Sequence, residues 1–172
     1  PAAHCTDQHI QVALNQGGLP GIFAIRDAGI RAQRFETMIQ TLFERDLRLI
    51  IETTVGYSSL RNLLALLALN QCKPIVLTDL SRQSRISVPT LKKLLQAFEA
   101  MYVIRVMQTE GSERRPVLFF EDQGEATYLA SNRYDETTGL VRLLYSQLRH
   151  QIHYRPELRV DMFQFRNRGG AH

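Results

Sequence analysis

The chain has 172 residues, 44% of them apolar and 22% charged, with a net charge of +4. That is the balance of a folded globular protein, long enough to bury a core without a metal or disulfide staple. No run of about 18 apolar residues is present to cross a membrane. The two cysteines, Cys5 and Cys72, match no metal-binding or redox spacing, which points to a reducing, cytoplasmic setting.

The charge is uneven. Residues 1–56 carry −1, residues 57–120 carry +5, and residues 121–172 carry 0. A positive field confined to the middle segment suggests a polyanionic partner there.

His4, Cys5, Asp7 and His9 lead the chain without a structural zinc spacing and read as a solvated terminus. IQVAL (10–14) reads as the tail of a helix, and NQGGLPG (15–21) as a loop. Phe35, Met38, Ile39, Leu42, Phe43 and Ile50 recur at helical spacing, predicting one amphipathic helix over about 31–53. Asp46 interrupts that stripe, and a carboxylate on a core-facing stripe needs a partner. Arg34 is the expected one, with Arg26 and Arg31 as alternatives. SSLRNLLALLALNQ (58–71) is apolar on nearly every face, as a central buried helix would be, and begins at a serine cap. Pro74 ends it, and Ile75, Val76 and Leu77 continue as a short extended piece.

Thr78 can cap a short helix running to about Gln83, with Asp79 in its first turn. Ser87 can cap the next helix, where Pro89 suits the first turn. Leu91, Leu94, Leu95 and Phe98 then form one apolar face, opposite Pro89, Lys92, Lys93, Gln96 and Ala100. Strands are expected over 102–106 and 117–120, bracketing the polar loop QTEGSERRP (108–116). Helix, short strand, two helices, strand, loop and strand make the order of a winged helix. Thr90, Lys92, Lys93 and Gln96 would face duplex DNA, supported by Arg82 and Arg85, with Arg114 and Arg115 reaching out from the wing. Glu110 and Glu113 balance the wing arginines, and the helix lacks an Arg or Asn in its first turn. The expected binding is therefore driven by phosphates, weakly selective and sensitive to salt. Asp122 reads as a helix cap, and GLVRLLYSQL (139–148) as a helix followed by His150 and His153.

GGLPG (17–21), FERDLR (43–48), the helix-turn-helix, VLFFEDQGEATYLA (117–130) and FQFRNRGGAH (163–172) occur in an order that resembles the C-terminal region of prokaryotic AAA-type ATP-binding proteins of unassigned role. The resemblance covers nearly the whole chain. It implies a P-loop ATPase upstream of Pro1, then a helical segment (1–56), a winged helix (57–132) and the start of a nuclease-like α/β segment (133–172). The expected fold class is therefore α+β, mainly α. Lys73, Lys92 and Lys93 are the only lysines, and none follows a glycine-rich phosphate loop. ATP and Mg²⁺ are accordingly expected only in the preceding domain, with no cofactor and no catalysis in this chain, which reads as a piece of a longer protein. The family's nuclease carboxylates are not matched: the helix at 139–148 carries Arg142 instead, and His172 stands where the family commonly has glutamate. Without such carboxylates a divalent ion has no ligands. The expected partners are duplex DNA or, alternatively, the protein's own ATPase domain or another protein. The sequence leaves the oligomeric state open.

Overall fold

A computed structural model describes residues 6–111, 115–131, 133, 136–162 and 164–166. Its fold is α+β and mainly helical, with a small antiparallel pair of strands.

Helix α1 (Asp7–Gln16) starts in a capping box made by Thr6 and His9. It leads through the GGLPG loop to α2 (Ala28–Thr41), capped by Asp27, whose carboxylate accepts from the Ile30 amide at 2.8 Å. The helix predicted over 31–53 is not uniform. A π-turn (Leu42–Asp46) separates α2 from α3 (Leu47–Ile50). Phe35, Ile39, Phe43 and Leu47 are buried at every fourth position. A four-residue step overshoots a 3.6-residue turn by about 40°, so a straight helix would carry this row off the core. The wider π-turn, closed by the Leu47 amide on the Leu42 carbonyl, holds Leu47 in place. Ile50, expected on the stripe, is 45% exposed as a result.

This shift also corrects the expected ion pair. Asp46 lies at the rim of the stripe and pairs with its neighbour Arg45 at 2.7 Å, not with Arg34. Arg45 is largely exposed, so the pair adds little stability.

Helix α4 (Tyr57–Leu69) buries Leu60, Leu63, Leu64 and Leu67. It starts one residue before the expected serine, at a Gly56 cap with no side-chain bond. After it, buried Gln71 accepts from the Phe120 amide at 2.9 Å through its side chain. The Cys72 amide donates to the Leu118 carbonyl, and the Ile75 amide to that of Pro116. The extended piece placed at 75–77 is thus shifted to the residues before it, with a bridge between Pro74 and Val117. Leu77 already begins α5 (Leu77–Ser84), and Val76, not Thr78, is its cap.

Arg85 turns the chain at φ 57° into α6 (Val88–Ala100), capped by Ser87 with Pro89 in the first turn. Strand β1 (Ile104–Met107) pairs antiparallel with β3 (Val117–Phe120), from Ile104 opposite Phe120 to Met107 opposite Val117. Between them β2 (Thr109–Gly111) pairs in parallel with β4 (Gln164–Arg166). Helix α7 (Gln123–Leu129) is capped by Asp122 as expected. Helix α8 (Glu136–His153) is longer than predicted and includes His150 and His153 in its last turn.

One apolar cluster joins Ile39, Phe43 and Leu47 to Leu60, Leu64, Leu91, Phe98, Leu118 and Leu129. The boundary expected at 56/57 therefore separates stretches of sequence that share a core. Among the described residues no helix is long and apolar enough to cross a membrane.

Candidate nucleic-acid interface

The two faces of α6 separate as its sequence dictates. Leu91, Leu94, Leu95 and Phe98 are buried, while Pro89, Lys92, Lys93, Gln96 and Ala100 are exposed. Among the described residues neither Lys92 nor Lys93 has a carboxylate partner. Both ammonium groups therefore meet water and are available to a polyanion.

The flanking residues are less uniform. Thr90 is half-buried, and its hydroxyl shares a 2.8 Å hydrogen bond with that of Ser87. Arg82 is exposed but pairs with Asp79 at 3.0 Å, which offsets its charge. Arg85 is exposed in the turn, two residues before the cap. In the connection between β1 and β3 Arg115 is exposed. Arg114 lies outside the described residues, as do Glu113 and the tip of the loop.

A second set of polar groups, not singled out in the sequence, joins the elements behind this face. Glu36 on α2 accepts from the Tyr57 hydroxyl at 2.7 Å, the Tyr128 hydroxyl at 2.5 Å and Arg61 Nε at 3.1 Å. Burial pushes its carboxyl up, but the bonds from Tyr128, Tyr57 and Arg61 outweigh this and leave it below the ordinary carboxylate value. Burial, with the bond to Glu36, pushes the Tyr57 phenol to about 12. Tyr128 also stacks on Phe35, with ring centres 5.5 Å apart, and the Arg61 guanidinium lies over the Tyr128 ring, 5.4 Å from its centre. The four polar groups tie α2, α4 and α7 together, which is a structural task.

The GGLPG loop and the Asp-x-Gly after VLFF meet in space. Asp122 accepts from the Gly18 amide at 2.6 Å and from the Glu125 amide at 2.8 Å. Gly17 has φ +68°, and a Cβ there would strike the Asp122 carboxylate. A Cβ on Gly124 would stand 2.5 Å from the Gln16 carbonyl. These glycines allow α1 to lie against α7, where the Thr127 hydroxyl donates to the Leu14 carbonyl at 2.7 Å. Arg142, noted in the sequence only for replacing a carboxylate, is fully buried and donates to Thr127 Oγ1 at 3.3 Å.

Among the described residues no group of three or more His, Cys, Asp or Glu could hold a metal ion. His4 and Cys5 fall outside the described residues, as does His172.

No curated protein and no solved structure matches the chain. A family model described as "Domain of unknown function (DUF8612)" matches residues 7–136, from the start of α1 to the first residue of α8. The matched span holds the GGLPG loop, α5 and α6, and the Asp122 cap that accepts from the Gly18 amide, and the chain belongs to the DUF8612 family.

Proposed function

We propose that this chain is a non-catalytic winged-helix module of an AAA-type ATPase and that it contacts duplex DNA through the exposed side of α6. The observation that carries this reading is the solvent-facing pair Lys92 and Lys93, without a carboxylate partner among the described residues, on a helix whose other side is committed to the core. A helix entering a groove presents residues from its first turns to the DNA. Thr90, Lys92, Lys93 and Gln96 occupy those turns, with Arg85 just ahead of the cap. Arg82 and Arg115 add phosphate contacts from the neighbouring helix and the wing, and Arg114 would do the same. Lysines act as point charges toward phosphate, so the association depends on counterion release more than on base identity.

Fluorescence anisotropy with a labelled duplex, at about 50 mM and about 200 mM salt, tests this reading. Binding at the lower concentration that weakens by an order of magnitude or more at the higher one is the expected result. No binding at low salt removes DNA from the account.

One observation favours a second reading, docking on the parent ATPase domain or another protein. Leu140, Leu144 and Leu148 are exposed at helical spacing along α8. An apolar row of this kind suits a protein surface, not a phosphate backbone.

A further inference from the structure

Helix α8 turns one side inward and the other to solvent. Arg142 is fully buried, while Leu144, about 160° round the helix from it, is 61% exposed. At about 100° per residue, Leu140 and Leu148 lie about 40° to either side of Leu144, and Val141 and Gln147 about 60°. Thr137 and Gln151, one heptad before and one after, lie about 20° away. All of these positions are exposed, and none carries a charge. A surface helix normally turns charged and polar residues to water.

Two features of this row select its occupant. The first is its neutrality. A polyanion would need lysine or arginine here, and a charged protein surface would be left with unpaired charges. The centres of protein interfaces are depleted of charged side chains, as this row is. The second is its symmetry about Leu144. Leucines stand four residues to either side, and the uncharged Thr137 and Gln151 stand seven to either side. A two-fold contact requires a patch complementary to itself, in which residue i meets j of the other copy and j meets i. Turned end for end about Leu144, the row sets Leu140 against Leu148 of a second copy and Leu144 against itself. Antiparallel helices also place the positive end of each dipole beside the negative end of the other.

We infer that two copies of this chain pair through α8, antiparallel, with Leu144 at the two-fold axis. The inference rests on the protein-docking reading of the α8 row and names its occupant as a second copy; DNA binding by α6 does not enter it. From Thr137 to Gln151 the row is about 21 Å long and one helix wide. That is small beside the interface of about 1,000 Å² or more that a stable complex buries, so the pairing is weak and depends on concentration.

Sedimentation equilibrium of the chain from about 5 µM to about 500 µM tests the pairing, with the mass expected to rise from one copy toward two. Leu144→Glu sets two carboxylates together at the axis and should raise the dissociation constant about tenfold or more, with thermal unfolding little changed because Leu144 is exposed. Cysteine cross-linking reads the geometry, since a disulfide forms only between closely apposed residues. Under oxidising conditions Leu144→Cys should link to itself, and Leu140→Cys to Leu148→Cys in a mixture of the two. The unsubstituted chain, with Cys5 and Cys72, is the control. The inference is overturned if the chain stays a single copy at the highest concentration or if Leu144→Glu leaves the pairing intact. Leu140→Cys linking to itself as readily as Leu144→Cys would overturn it too, since that is the mark of a parallel pair. Docking on the ATPase domain fails separately, if Leu144→Glu leaves binding of that domain unchanged.

Discussion

At the scale of single residues, the buried Glu125 carboxyl departs from ordinary carboxylate chemistry. Burial, with a smaller contribution from the Asp122 charge, pushes its carboxyl from the usual 4.5 to about 8. Between those two values the folded chain keeps a proton that the unfolded chain has lost. The stabilisation linked to Glu125 is therefore complete below about pH 4.5 and disappears as the pH rises through about 8. Glu125→Gln removes the ionisation, so it should match the wild type near pH 4 and exceed it near pH 9 by a few kcal/mol, at about 1.4 kcal/mol per pKa unit. Urea denaturation at the two pH values measures this, and an equal loss of stability by both proteins on going to pH 9 would contradict it. Nothing in the spacing of residues marks this position. Glu125 is one acidic residue in EDQGEAT, and its burial arises because Gly17 and Gly124 let α1 close over α7, a contact between residues more than a hundred positions apart.

At the scale of elements, local rules sufficed where an element's partners are its own neighbours in sequence. The Ser87 and Asp122 caps and the apolar face of α6 stood where periodicity and capping chemistry placed them. The long second helix was legible as a helix but not in its phase, because a π-turn has no signature in spacing alone. That phase makes a measurable difference. Leu47 is fully buried and Ile50 is 45% exposed. Leu47→Ala should cost about 2–5 kcal/mol, as truncation in a packed core does, and Ile50→Ala less than about 1 kcal/mol. A straight helix carrying Ile50 on the core stripe would make the Ile50 change the costlier one, and chemical denaturation of the two variants separates these cases.

At the scale of the whole molecule, one core fastens the N-terminal helices to α5 and α6, while Glu36, Tyr57, Arg61 and Tyr128 tie α2, α4 and α7 together. That rigid backing leaves α6 with one side fixed and the other free. The positive middle segment visible in the sequence is thus displayed in part on a helix the fold holds still. The central claim is that this displayed side is the surface that meets DNA. Its most direct test is the double variant Lys92→Glu and Lys93→Glu, compared with the wild type by duplex anisotropy at low salt and by thermal unfolding. Both lysines lie off the apolar face, so unfolding should shift by no more than surface substitutions usually cause, about 0.5 kcal/mol each, while DNA binding is lost. A folded double variant that binds duplex as tightly as the wild type would contradict the claim.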